Sequence, residues 1–147
     1  MENTLERNKA VVIRFNKEFI EQGNAACFTD LVSDELVNHA APGAGALGAA
    51  APGAPSGPES MIYFLHDVLR VGFPDITVNI LDQVAENDKV TTRKEFHGTH
   101  TGEFMGIPAS NKKVVIKVID IIRLRDGKYV EHWGMSNLAE VMQQIAG

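Results

Sequence analysis

Residues 114–135 read VVIKVIDIIRLRDGKYVEHWGM, two runs rich in β-branched and aromatic residues on either side of Arg125-Asp126-Gly127. Such runs favour strands, and an Asp-Gly step between them signals a hairpin. How the runs pair decides which side chains meet. A three-residue turn with Gly127 in the left-handed region pairs Leu124 with Lys128, Ile122 with Val130 and Asp120 with His132. A two-residue turn instead opposes Asp120 to Trp133. The first register is preferred, because it gathers Val118, Ile122 and Val130 on one face with Asp120 and His132. Lys117, Arg123 and Glu131 then share the other face. Asp120 is thereby an acid on an apolar face.

Working outward, strand patterns over Ile76 to Ala85 and Lys89 to His97 flank a polar turn at Glu86-Asn87-Asp88, and a loop from Thr101 to Lys113 leads into the quoted stretch. The N-terminal half is helical. Leu5, Val11, Val12, Phe15, Phe19 and Ile20 recur at helical spacing, with Asn3 and Glu6 placed to cap the start and Gly23 to stop it. A short helix capped by Asn24 covers Ala25 to Leu31 and leads to an apolar stub at Leu36 and Val37. A third helix carries Met61, Ile62, Phe64, Leu65, Val68 and Leu69, opened by Ser56, Pro58 and Glu59 and stopped near Gly72. Phe73-Pro74-Asp75 breaks the chain direction, and Asn137 is placed to cap a last helix through Leu138, Val141, Met142 and Ile145. Helices first and an antiparallel sheet second predict an α+β fold.

Between them, residues 40–58 contain only Ala, Gly and Pro apart from one Leu and one Ser. This composition has neither helical nor strand periodicity and reads as a long flexible loop, a lid or an ornament. The chain has 147 residues, 44% hydrophobic and 22% charged, which fits one folded domain over 1–147 and excludes a disordered tail protein. Fourteen Lys and Arg against nineteen Asp and Glu give a net charge of -5. With no basic run, nucleic acid is a poor partner. The single cysteine, Cys27, closes no intrachain disulfide, and no apolar leader or membrane span is evident. A cytoplasmic protein is expected.

An aspartate between Val118 and Ile122 needs a specific donor or becomes partly protonated, and either state is costly enough to suggest a purpose. It is either structurally paired with His132, fixing strand register, or a general acid or base oriented by His132, chemistry that needs no metal or cofactor. His39 precedes the loop and can reach a pocket mouth. His66 beside Asp67 reads as solvated. His97 and His100 form H-x-x-H, but on extended chain they point to opposite faces without a third ligand, so no metal site is expected. Arg93 either enters the cavity as an anion partner or lies outside with Glu95. Phe15, Phe19 and Tyr63 belong to the core or to a cavity wall. G-x-S-x-G and G-x-G-x-x-G are both absent, and Cys27 has no evident base beside it, which argues against hydrolases using a serine or cysteine nucleophile and against dinucleotide enzymes.

Residues 96–108, FHGTHTGEFMGIP, followed by IDIIR at 119–123 and DGKYVEHW at 126–133, resemble the SnoaL-like polyketide cyclases. Phe73-Pro74-Asp75, Asn38-His39, Leu138, Met142-Gln143-Gln144 and Gly147 extend the resemblance over most of the chain outside the 40–58 loop. Gly134 and Asn137 depart from it, standing where relatives often carry aspartate. The resemblance implies a cone-shaped, nuclear-transport-factor-2-like fold: helices packed on a bent antiparallel sheet around a deep apolar cavity, frequently dimeric through the outer sheet face. It also implies a cofactor-independent ester cyclase closing a ring by intramolecular aldol condensation of a polyketide-like carbonyl substrate. Asp120 would be its acid/base, with His132, His39 and either His100 or Arg93 as pocket partners. The same fold serves isomerases, dehydratases and hydrolases, and domains that only bind a small apolar or aromatic molecule.

Overall fold

The computed structural model describes residues 4–40 and 57–147. Residues 41–56 of the expected loop, and Asn3 and Ser56 as expected caps, lie outside the described residues.

The first helix runs from Thr4–Arg14 into a π-helical stretch, Phe15–Glu21. It stops at Gly23, whose φ of +71° suits glycine alone without strain. The open carbonyls of its last turn are capped from outside: Arg70 Nη1 donates to Ile20 O at 2.8 Å and Glu21 O at 2.7 Å. The short second helix forms as Ala25–Cys27 and Phe28–Leu31, with the Asn24 side chain accepting from Ala26 N. A third helical segment comprises Pro58–Ile62, a π-helical Tyr63–Leu69 and a closing turn Arg70–Gly72. The last helix is Leu138–Ala146, burying Val141 and Ile145. Asn137 does not cap it through its side chain. That side chain instead accepts from Lys117 N at 2.8 Å and ties the helix start to the sheet.

Five strands follow the order β1-β5-β4-β3-β2, with β1 Val32–Asn38, β2 Thr77–Glu86, β3 Lys89–Thr99, β4 Lys113–Arg125 and β5 Lys128–Ser136. β1 corrects the expectation of an apolar stub: it is a full strand, hidden in the sequence by Ser33-Asp34-Glu35 between buried Val32 and Leu36. It pairs parallel to β5, so the sheet is mixed rather than wholly antiparallel.

The decisive hairpin also differs from its expected register. Asp126 and Gly127 both have positive φ, 53° and 75°, and Arg125 pairs with Lys128. This is a two-residue turn whose twist matches the flanking strands. Leu124 then faces Tyr129, and Val130 is an extra residue before Arg123 meets Glu131 and Ile122 meets His132. The bulge resolves a conflict of burial. It lets Tyr129, 1% exposed, and His132 both face inward, which strict alternation forbids. Asp120 consequently lies opposite Gly134, not His132 or Trp133.

The inner sheet face carries Val90, Phe96, Ile116, Ile122 and Tyr129 against Val12, Phe15, Phe19 and Phe28. Phe15 packs on Tyr129 at 4.6 Å and Phe19 on Phe28 at 5.0 Å between ring centroids. Each such buried side chain contributes about 1.5–3 kcal/mol before entropy is counted. Phe73 and Phe104 close the far end, 5.1 Å apart. No described helix is long and apolar enough to cross a membrane.

Asp75 ties that end together, its carboxylate accepting from Thr99 N at 2.7 Å and Thr99 Oγ1 at 2.8 Å. These bonds hold its carboxyl below the usual carboxylate range. A depressed folded pKa contributes stability above the unfolded value, about 3.9, that disappears as pH falls through the folded one. Asp75→Ala is therefore expected to cost about 1 kcal/mol at pH 7. In urea melts the gap to wild type should close in strong acid; a gap that stays constant with pH would contradict this assignment.

Candidate functional site

β3 and β4 pair without a break, Thr92 opposite Asp120 and Lys94 opposite Val118. Even-numbered residues of both strands therefore share the inner face, and Lys94 sits diagonally from Asp120. Both side chains are buried, 4% and 7% exposed, and Lys94 Nζ lies 3.0 Å from Asp120 Oδ2. A second bond runs from Lys94 Nζ to Asn16 Oδ1 at 2.7 Å. Asn16 belongs to the π-helical stretch and donates its own amide to Val12 O at 2.9 Å, which fixes its oxygen toward the lysine. Burial alone would raise the Asp120 pKa. The Lys94 charge, joined by His132 when its ring is charged and Nε2 carries a proton, outweighs it and holds the carboxyl below its ordinary value. Asp120 Oδ1 has no hydrogen-bond partner among the described residues.

His132 reaches the same carboxylate, with Nε2 3.7 Å from Asp120 Oδ2. Its tautomer follows from a chain of donors. Ser60 Oγ donates to Gly57 O, Asn38 Nδ2 donates to Ser60 Oγ at 2.8 Å, and so Asn38 presents Oδ1 to His132 Nδ1 at 2.7 Å. Nδ1 must then carry a proton, leaving Nε2 as the acceptor whenever the ring is neutral. At a pH where the ring is neutral, nitrogen NMR of wild-type protein should show the Nδ1–H form. In Asn38→Leu, which deletes the acceptor, the ring should shift toward the Nε2–H form; an unchanged spectrum would break the chain as described. Gly134 makes room for this arrangement, since a Cβ there would stand 3.3 Å from the His132 ring and 3.6 Å from Asp120 Cβ.

These groups border a cavity of about 710 Å³ walled by Phe15, Met61, Phe64, Leu65, Phe96 and Ile116. That is the size of a site for a drug-sized molecule, apolar with a few convergent polar groups. Tyr129 also lines it; burial first, and then the Asp120 charge, push its hydroxyl well above the ordinary range, so it remains protonated.

Of the residues singled out in the sequence, Asp120, His132 and Phe15 line this cavity. His39 borders its mouth, but its ring bonds Glu131 at 2.7 Å and stacks on Trp133, on the face opposite Asp120. Four residues are not brought to the cavity. Arg93 alternates to the outer face and forks onto Asp82 at 2.9 Å. His100 is fully buried at the far end, Nδ1 bonded to Ser110 and the ring against Phe73. Phe19 packs in the core between Phe15 and Phe28, and Tyr63 is 42% exposed on the outside of its helix. Lys94, Asn16 and Ser60 were missed. For Lys94 a signal existed: it is in period-two phase with Val90 and Phe96. Among the described residues no cluster of His, Cys, Asp and Glu could hold a metal ion.

The fold has counterparts among solved structures. IdmH from Streptomyces antibioticus, a candidate polyketide cyclase, is 28% identical, with 95% of this chain and 99% of that one covered at a TM-score of 0.78. A candidate polyketide cyclase from Bacillus cereus is 27% identical over 95% of this chain and 80% of that one, at 0.75. At 22% identity, a candidate SnoaL-like polyketide cyclase from a Jannaschia species shares the fold over 100% and 97% of the chains, at 0.79. No curated protein sequence matches the chain. The sequence profile of the SnoaL-like polyketide cyclases matches residues 10–145, a span from the first helix to the last that contains Asn16, Lys94, Asp120 and His132. The chain belongs to the SnoaL-like polyketide cyclase family.

Proposed function

We propose that the cavity catalyses a cofactor-free intramolecular aldol cyclisation of a polyketide-like or other small carbonyl substrate, with Asp120 as acid and base. The observation that carries this reading is a buried carboxylate in an apolar cavity, one oxygen held by Lys94 and the other without a partner among the described residues. In the reaction, Asp120 takes a proton from the carbon beside a carbonyl, and the C–H electron pair moves into the enolate. The enolate carbon attacks a second carbonyl of the same molecule, and the new alkoxide recovers the proton from Asp120. A proton-transfer group of this kind typically supplies 10²–10⁴-fold in rate.

The test is incubation with a panel of aromatic keto esters in D2O. Mass spectrometry then reads deuterium uptake at the activated carbon and ring closure, for wild type and Asp120→Asn. Deuterium uptake or ring closure that depends on Asp120 supports the reading. Esters that bind by calorimetry yet neither exchange nor cyclise would support a second one, a domain that only holds its ligand. The same ion pair favours that alternative to a degree, because a carboxylate held below its ordinary pKa is a weaker base.

A further inference from the structure

We propose that Lys94 is the oxyanion-binding group of this site: its ammonium takes up the substrate oxygen on which negative charge develops. The site is thereby restricted to substrates that place an enolisable carbonyl oxygen, or an already acidic enol or phenol oxygen, beside Asp120. This deepens the reading of Asp120 as acid and base and rests on it.

Valence is the first argument. An ammonium has three N–H donors, and two are committed, to Asn16 Oδ1 at 2.7 Å and Asp120 Oδ2 at 3.0 Å. The third has no hydrogen-bond acceptor among the described residues, and Nζ lies 5.2 Å from the centroid of the Phe96 ring, itself a cavity wall. A buried cation with an open donor in an apolar cavity fits an acceptor brought by the substrate. The second argument is anchorage. Lys94 does not depend on Asp120 alone for its position, because Asn16 holds it from the helix and is itself bonded to Val12 O. When Asp120 becomes neutral, Lys94 Nζ is therefore still held in place by Asn16.

Charge balance is the third argument. Before proton transfer the cavity contains a Lys94 cation, an Asp120 anion and a neutral substrate. Afterwards it contains the same cation, a neutral acid and an enolate anion. One C–H bond has broken, one O–H bond has formed on Asp120, and the electron pair rests on the substrate oxygen. The negative charge moves from one partner of Lys94 to another within its reach, so no net charge enters or leaves a low-dielectric space. A preorganised donor at the point where charge develops lowers the barrier without reorganising solvent. A buried ion pair is by contrast weak evidence for stability, since well-packed apolar residues often replace one at no loss.

The probe is 4-nitrophenolate, aromatic and coloured, titrated at a pH above its own ionisation. Asp120→Asn removes the competing carboxylate and mimics the neutral acid. It should bind the phenolate about 10–100-fold more tightly than wild type, the range for a charge-assisted hydrogen bond. Adding Lys94→Met to Asp120→Asn should abolish that gain while thermal melts confirm a folded protein. Lys94→Met alone, in which the lone carboxyl can neutralise by protonation, should lose about 10²–10³-fold in deuterium exchange, the scale of a lost oxyanion donor, mainly in kcat. The proposal is overturned if Asp120→Asn fails to tighten phenolate binding or if the gain survives in the double variant. Exchange in Lys94→Met at the wild-type rate overturns it independently, even should Asp120→Asn not fold. Should Lys94→Met be indifferent while Asp120→Asn is inactive, Lys94 is structural and the reading of Asp120 stands; should Asp120→Asn itself exchange normally, that reading falls first.

Discussion

Asp120→Asn is expected to lower kcat/KM for deuterium exchange and ring closure by about 10²–10⁴, the usual contribution of a positioned general acid or base. The substitution keeps an oxygen that can accept from Lys94 at 3.0 Å, so the fold should survive and near-ultraviolet circular dichroism should match wild type. What is lost is a group able to take a proton. The acid limb of the wild-type profile follows from the same contacts. Lys94 and His132 hold the carboxyl ionised against the opposing effect of burial. Activity should therefore persist as pH falls past about 4, the ordinary carboxylate range, and fail only below it. A variant with near-wild-type exchange would remove Asp120 from the chemistry.

Gly102→Ala is expected to destabilise the protein by about 3 kcal/mol or more, the upper range for overpacking a rigid site. A Cβ at this position would stand 2.0 Å from the backbone oxygen of Val71 and 3.0 Å from its carbonyl carbon, and Gly102 N already donates to Gly72 O at 3.2 Å. Neither partner is a side chain that can swing away. For a domain of this size the loss corresponds to roughly 10 °C in Tm. Gly106→Ala is the internal control. That glycine has a φ of +85° and open space around it, so it should cost only about 1 kcal/mol of backbone strain. Equal losses for the two variants would show that steric contact is not what Gly102 avoids.

The α+β division, the four antiparallel strands and the helices were legible because each follows from periodicity within one segment. Asp120 was legible for the same reason, as an acid interrupting an apolar alternation. His132 was found on the right face by a register that proved wrong: the expected three-residue turn and the observed two-residue turn with its bulge at Val130 give β5 the same offset to within two residues. Tyr129, which the expected register turned outward, is the cost of that error. Arg93 drew attention and Lys94 did not. In Thr91-Thr92-Arg93-Lys94-Glu95 polar residues occupy both faces, so within the stretch alternation does not mark the inner one, and only the flanking Val90 and Phe96 carry its phase. The cross-strand pairing of Thr92 with Asp120 marks the inner face. Asn16 and Ser60 read as ordinary polar residues of helices until tertiary contacts, 78 and 22 residues away in sequence, give them partners.

The extra residue at Val130 has a bearing on how this chain can change over evolutionary time. It acts as a parity bit. Upstream of it, odd positions of β5 face inward, as Tyr129 does; downstream, even positions do, as His132 and Gly134 do. Substitutions within β5 alter one side chain each, but an insertion or deletion between Val130 and His132 exchanges the two faces for the rest of the strand at one stroke. The hairpin can drift in composition and remain the same site. Its length is the part of its inheritance that cannot be edited one letter at a time.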